Sequence, residues 1–325
     1  MRQFLTSFIS VFVFVFSFLV VSSWYMTRSV GDAPSLSVFV VPQDIKGFET
    51  AASLKKQGFI RNELVYRVVS RIKGMNKIPV SGGYRLSSSM SMWQVLTKLT
   101  DHPDLVWVTI REGLRKEQTG ESLAMRLGWT DKQLSEWNNV NADSLEYKEG
   151  VYFPETYLLP LDETPTQIAK RFIDKFNEKI GPLIPQFTAK NIKWTTGVKI
   201  ASLIEREAAG PDDMKLISGI IWKRLDIGMK LEIDATMQYT KGIVNDRWWG
   251  NIDLKEKQSD SLYNTYKYKG LPPTPISNPG FDAIEAVLYP EETDCIFYLH
   301  DKNQQIHCAQ TYVEHKENIG KYLSY

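Results

Sequence analysis

Ile200-Ala201-Ser202-Leu203-Ile204-Glu205-Arg206-Glu207-Ala208-Ala209 reads as the end of a helix that carries a carboxylate on its apolar side. Ile200, Leu203 and Ile204 recur at the three-to-four spacing of a buried stripe. One turn further on, the stripe arrives at Glu207. At about 100° per residue, Glu207 projects between Leu203 and Ile204, inside the apolar arc, while Glu205 and Arg206 fall outside it. A carboxyl on the core side of a helix loses water, and desolvation raises its pKa. A glutamic acid kept protonated near neutral pH is what a general acid for glycosidic cleavage requires. Taken alone, the stretch also admits a plainer reading, in which Glu207 ends the stripe and reaches water.

Beyond this helix, Asp212 or Asp213 is expected to cap a second one that runs to about Ile227 and stops at Gly228. Its stripe is Ile217, Ile220, Ile221 and Leu225, with Arg224 on the same face. Residues 231–280 read mostly as loop, rich in Tyr, Asn, Gly and Pro, and loops of that length in a compact domain carry function. Asp282 to Leu288 reads as a helix. Cys295 to Leu299 and Ile306 to Cys308 read as the strands of a hairpin turning near Lys302. That hairpin brings the two cysteines nearly opposite one another, so a disulfide and a pair of buried thiols are both open. His300, His307, Cys308 and His315 match no standard zinc-ligand spacing, and no metal or cofactor is expected. An amphipathic helix from Val313 to Leu323 ends the chain.

Before Glu207 the pattern alternates. Leu36 to Pro42 reads as a strand, Phe48 to Lys56 and Asn62 to Ile72 as helices, Gly82 to Leu86 as a short strand, and Ser91 to Leu99 as a serine-capped helix. This is a small βααβα unit. His102-Pro103-Asp104 separates it from a strand at Leu105 to Ile110 and from helices at Glu117 to Leu127 and Asp131 to Asn138. Gly150 to Tyr157 is an extended aromatic segment, and Pro165 to Lys179 is a helix.

The first 28 residues stand apart. No charged residue occurs between Arg2 and Arg28, and Phe4 to Val21 is almost wholly Phe, Val, Leu and Ile, long enough to cross a bilayer. The apolar core is longer than that of a cleaved signal peptide, and Val21-Ser22-Ser23 is a poor cleavage site. An uncleaved single-pass anchor is expected, with Trp24 and Tyr25 at the outer interface and everything after about residue 28 on the extracytoplasmic side of the cell (inner) membrane. The net charge of +1 gives no electrostatic footprint for nucleic acid. Nine Trp, fifteen Tyr and fifteen Phe leave aromatic faces to spare for sugar rings, although most such side chains build cores.

Further polar blocks follow the Glu207 helix in order: Arg224-Leu225 with Gly228-Met229, then Asp234 and Thr236 with Tyr239, then Tyr263-Asn264-Thr265-Tyr266, then Gly270-Leu271-Pro272-Pro273 through Pro275-Ile276-Ser277-Asn278-Pro279-Gly280. Upstream lies Glu149-Gly150-Val151-Tyr152-Phe153-Pro154-Glu155-Thr156-Tyr157. Together these resemble the endolytic murein transglycosylases of the MltG/YceG-like family, from about Val38 to Leu323. Glu232, Ile233, Ala235, Lys223, Leu262 and Thr274 depart from that family's usual residues, which bears on fine substrate contacts more than on the chemistry.

The resemblance implies an α+β fold: a cytoplasmic stub and transmembrane anchor over 1–28, a small LysM-like glycan-binding module over 36–102, and a larger mixed α+β catalytic domain over 105–325. It implies a lyase acting on peptidoglycan glycan strands, with wall synthases as further partners. It places the catalytic acid at the second glutamate of the Glu205-Arg206-Glu207 block, the residue that the helical face also selects. Glu205 is then expected to hold a neighbouring loop, to tune Glu207 by like charge, or to make a structural hydrogen bond. Arg224 is expected to pair with Glu205 or Asp234, or to brace the fold. Asp234, Thr236, Tyr239, Tyr263 and Asn264 could either line a sugar groove or brace loops. A muramidase using water, with Asp234 as a second carboxylate, and a non-catalytic glycan-binding scaffold are the competing functions.

Overall fold

The computed structural model describes residues 2–44, 49–74, 79–245 and 247–323, with backbone alone at 2–11 and 19. It divides into two compact units, residues 1–108 with 157–162, and residues 109–156 with 163–325. The mixed α+β architecture expected from the sequence is present.

The first unit opens with helix α1 (Arg2–Thr27). Among the described residues no helix is long and apolar enough to cross a membrane. Much of the apolar run from Phe4 lies where only the backbone is described. Strand β1 (Ser37–Val41), helices α2 (Thr50–Lys56) and α3 (Glu63–Ile72), strand β2 (Gly82–Leu86) and helix α4 (Met92–Thr100) follow in the expected order. The expected start of α2 at Phe48 lies outside the described residues. Polar caps set the helix starts: Asn62 accepts from the N–H groups of Leu64 and Val65, and Ser91 forms a reciprocal capping box with Gln94.

Strands β3 (Leu105–Thr109) and β4 (Thr156–Pro160) extend the sheet to the order β1-β2-β3-β4. Residues 105–108 therefore belong to the first unit, and not with the chain that follows them, because β3 pairs antiparallel with β2 at Gly83 and Leu105. Gly82 makes that approach possible: a Cβ there would stand 2.6 Å from the Leu105 carbonyl oxygen. Strand β1 alternates as a half-buried strand should, with Phe39 and Val41 inward and Val38 and Val40 outward. Its inner face joins Leu54, Phe59, Tyr66, Tyr84 and Leu96 in one core.

The second unit is largely helical. Helices α5 (Lys116–Leu127), α6 (Asp131–Asn139) and α7 (Pro165–Ile180) pack around Trp137, whose ring lies 5.1 Å from Tyr152 and 5.7 Å from Phe172. Helix α8 (Ile184–Ala189) leads into α9 (Trp194–Glu207), α10 (Met214–Asp226) and α11 (Asp234–Lys241), and α12 (Phe281–Leu288) completes the set around α9. Ala201 and Ser202, fully buried on α9, keep that helix surface small enough for close approach. The Ser202 hydroxyl accepts from the Ile276 N–H at 3.1 Å and donates to the Lys199 carbonyl, and its own carbonyl accepts from Ser277. The proline-rich loop is thereby fastened along α9. Gly150 (φ +85) lies so close to Pro275 that a Cβ would stand 2.7 Å from its ring.

Residues 231–280 are not all loop: α11 lies among them. Ile233, Ala235, Met237 and Tyr239 are buried, which is apolar support enough for two turns. Strands β5 (Phe297–His300) and β6 (Ile306–Ala309) form the expected antiparallel hairpin, and Cys295 and Cys308 are joined as a disulfide. Helix α13 (Tyr312–Tyr322), capped by Thr311 and Glu314, follows.

Candidate functional site

Helix α9 ends at Glu207, and the turn after it is held by Asp213. The Asp213 carboxylate accepts from the N–H groups of Ala209 at 3.0 Å and Gly210 at 3.3 Å. Asp213 does precede α10, but its side chain makes no cap bond there. It turns back to the α9 corner, where it also meets His300 Nε2 at 2.6 Å. In β5, Tyr298 and His300 are two residues apart and so share a face. Tyr298 donates its hydroxyl to Glu207 Oε2 at 2.6 Å. The hairpin therefore grips the end of α9 at two points.

Glu207 opens onto a cleft of about 250 Å³, lined also by Arg224, Glu232, Tyr266, Tyr298 and His315. Burial raises its pKa above the ordinary glutamate value, and the negative charge of Asp234 adds to the rise. The Tyr298 hydrogen bond and the charges of His300 and Arg206 oppose it. The Tyr298 phenol is itself held well above its usual pKa, first by burial and then by Glu207, so it remains a donor. Glu232 sits at the cleft with φ +54, a left-handed conformation uncommon outside glycine.

The two glutamates of α9 have different partners. Glu205 Oε2 accepts from the Gly280 N–H at 3.0 Å, at the start of α12. Its pKa is raised by burial, against the pull of that hydrogen bond. It is thus bonded to the end of the proline-rich loop. Between the two glutamates, Arg206 stacks 4.0 Å above the Trp249 ring, and Trp249 in turn donates to Gln118.

Arg224 pairs with neither Glu205 nor Asp234. Its Nε donates to the Ile296 carbonyl at 2.6 Å and its Nη1 to the Leu231 carbonyl, so it ties the strand that enters the hairpin to the segment before α11 while facing the cleft. Asp234, first residue of α11, accepts from Tyr266 Oη at 2.6 Å and pairs with Lys257 Nζ at 2.9 Å. Asn264 is fully buried and braces that arrangement. Its amide donates to the carbonyls of Lys257 and Ser259, and its oxygen accepts from the N–H groups of Tyr266 and Lys267.

Thr236, Tyr239 and Tyr263 lie away from the cleft lining. Thr236 is buried and donates to the Ile233 carbonyl, 3.1 Å from Thr265 Oγ1. Tyr239 points its hydroxyl at Glu149, and Tyr263 meets Thr274 at 2.7 Å. Of the residues singled out in the sequence, Glu207 and Arg224 thus meet in the cleft, and Asp234 acts on Glu207 through its charge. Thr236, Tyr239, Tyr263 and Asn264 serve as internal braces, because their polar groups are already satisfied by the loops that they join.

Two residues of the site escaped the sequence reading, and a third, Glu149, stood in a recognised block without a role. Tyr298 and Lys257 reach the site from outside the recognised blocks. Glu149 is buried at the junction of three segments, accepting from the Lys116 N–H at 2.9 Å and from Asn278 Nδ2 at 3.2 Å. The period of two along Phe297-Tyr298-Leu299-His300 was the available signal for Tyr298.

A family model described as the YceG-like family matches residues 39–321. The chain is 28% identical over 299 residues to an endolytic murein transglycosylase of Bacillus subtilis, covering 84% of this chain and 81% of that protein. It is 25% identical over 323 residues to an endolytic murein transglycosylase of Streptococcus pneumoniae, covering 87% of this chain but only 58% of the longer pneumococcal protein. Among solved structures, a yceG-like protein of Listeria monocytogenes superposes with a TM-score of 0.58 at 23% identity, over 88% of this chain and 99% of that one, which is a likeness of fold. With a desolvated carboxyl at the end of α9 and a family match that spans most of its length, this chain belongs to the YceG-like family.

Proposed function

We propose that this chain is a membrane-anchored lytic transglycosylase that cuts the bond between N-acetylmuramic acid and N-acetylglucosamine within nascent peptidoglycan strands and ends their elongation. The observation that carries this reading is Glu207: a carboxyl desolvated at a helix end, opening on a cleft, with its pKa raised. Protonated Glu207 donates to the glycosidic oxygen as the C1–O bond breaks through an oxocarbenium-like state. The carboxylate then takes the proton of the muramyl C6 hydroxyl, and O6 closes on C1 as a 1,6-anhydro ring. No water is consumed, so one carboxyl serves where hydrolases use a pair. The curated relatives carry the name of this activity.

The α1 helix supports anchoring, because its 26 residues span about 39 Å at 1.5 Å per residue, and the apolar run lies within it. The βααβα order of the first unit supports a LysM-like glycan-binding role, with peptidoglycan strands as the partner and wall synthases close by. On this reading the chain after α1 works on the extracytoplasmic side of the cell membrane.

Digestion of purified peptidoglycan by the wild-type protein and by Glu207→Gln, with products identified by mass, tests the assignment. Wild type is expected to leave anhydromuramyl ends, and Glu207→Gln to lose at least about 100-fold in rate. Reducing ends would make the protein a muramidase and turn attention to Asp234. Glycan bound but never cut would make it a scaffold.

A further inference from the structure

Tyr298 lies outside every block that marks the family resemblance, yet its hydroxyl is 2.6 Å from Glu207 Oε2. Its position is well determined. Strand β5 pairs Tyr298 with Cys308 and Phe297 with Ala309, and the Cys295–Cys308 disulfide closes the hairpin from the side of that pair. His300 on the same face is fixed to Asp213. Tyr298 also lines the cleft beside Arg224, so it stands on the wall of the cleft onto which Glu207 opens.

A phenol donates one hydrogen bond, and a carboxylic acid has one oxygen that accepts well and one that carries the proton. Donation to Oε2 makes that oxygen the acceptor, which leaves the acidic proton to Oε1. We propose that Tyr298 is a positioning residue for the cleavage reaction, placing the acidic proton of Glu207 on Oε1 and holding the carboxylate still for its return as a base. This inference rests on the proposed transglycosylase function and deepens it.

The atoms balance without any further reactant. The Oε1–H bond breaks as the leaving sugar gains its hydroxyl, and the electron pair of the C1–O bond leaves with that oxygen. The C6 hydroxyl then gives its proton to Oε1 as O6 bonds to C1. Tyr298 keeps its own proton throughout.

The role has a pH signature. The groups that face Glu207 are Tyr298 and His300 from β5, Asp234 from α11, Arg224 from α10 and Arg206 from its own helix, with Glu232 and Tyr266 and, from α13, Tyr312 and His315 on the cleft wall. The Tyr298 hydrogen bond favours the carboxylate and so lowers the Glu207 pKa, against burial. Activity needs the protonated acid and falls as pH rises through that pKa. Removing the hydroxyl raises the pKa and moves this limb to higher pH, whereas a stronger donor moves it lower.

The test compares the full-length protein in detergent, acting on purified peptidoglycan, as wild type, as Tyr298→Phe, and with 3-fluorotyrosine incorporated at position 298. Tyr298→Phe is expected to lose about 10- to 100-fold in kcat with KM nearly unchanged, and to shift the alkaline limb upward. The 3-fluorotyrosine protein has a more acidic phenol and the same shape, and is expected to shift the limb downward while keeping most of its rate. It also answers for Tyr298→Phe should that variant fail to fold. Limbs that stay with the wild type in both proteins, while the wild type still makes anhydromuramyl ends, would overturn the positioning role alone. A wild type that makes no such ends would overturn the transglycosylase reading and this inference with it.

Discussion

Glu207 and Glu149 show how differently a desolvated carboxyl can be used. Glu207 keeps an opening to the cleft, whereas Glu149 is 1% exposed and bonded on several sides by Lys116, Asn278 and Tyr239. Burial, with the nearby Glu117 charge, pushes the Glu149 pKa up to about 8, and burial brings the Lys116 ammonium down to about 8. An acid whose folded pKa exceeds its unfolded value binds its proton more tightly when folded. Stability from Glu149 is therefore full below the unfolded pKa near 4.5 and is lost as pH rises toward 8. Lys116 adds no slope in that window, because its lowered pKa makes folding release a proton only above about 8. Glu149→Gln keeps an accepting oxygen for Lys116 and Asn278 and removes the titration. It should match the wild type in thermal unfolding near pH 4 and exceed it by at least about 1 kcal/mol near pH 8. Unfolding midpoints of both proteins across that range check the prediction, and parallel curves would reject it.

At the scale of elements, the hairpin carries more than its eight paired residues suggest. It supplies Tyr298 to Glu207 and His300 to Asp213, and its disulfide closes a sequence separation of 13 residues. Closing a loop of that length is worth about 3 kcal/mol through the unfolded chain. Cys295→Ser with Cys308→Ser should lower stability by about that amount in urea unfolding. At a temperature where the variant is still folded, its turnover should fall several-fold, because both grips on α9 depend on the hairpin. A variant that lost stability but turned over normally would show that the hairpin does not need its staple to hold Tyr298. The helices were legible in the sequence where polar caps and apolar stripes coincide, as at Ser91 with Gln94 or at Asn62 before α3. Helix α11 was not, because its eight residues sit between glycine- and tyrosine-rich loops and draw their support from Thr265 and the buried Ile233. The end of α9 was legible because 3.6-residue periodicity put Glu207 on the stripe. Tyr298 was not, because a strand of four residues reveals nothing of what lies across from it. The same limit explains Arg224, Thr236 and Asn264. Residue type suggested sugar contacts or ion pairs, but the partners are carbonyls, hydroxyls and N–H groups of distant loops that only the folded chain brings together.

At the scale of the whole molecule, the division of the chain followed composition more closely than pairing. The apolar start and the βααβα run could be read directly, but the return of residues 157–162 to the first unit could not, since β4 joins its sheet from 47 positions or more beyond β3. Within that unit, Arg61 bonds the Ser29 carbonyl through Nε and Nη2 at 3.1 and 2.7 Å, and its guanidinium lies 4.8 Å from the Tyr25 ring. The stretch just after α1 is therefore tied to the α2–α3 corner and is not a free tether. If α1 is the membrane anchor, this tie holds the first unit near the bilayer, and removing α1 would free the chain to meet glycan strands away from it. Removal of residues 1–28 should release the protein from membranes and leave its rate on isolated peptidoglycan within about twofold, because Glu207 and its cleft lie in the other unit. On strands made by membrane-bound synthases, the full chain should give a narrow distribution of anhydro-ended lengths and the truncated protein a broad one. Chromatography of the released strands by length measures both. Equal breadth from the two proteins would mean that α1 sets location but not the place of the cut.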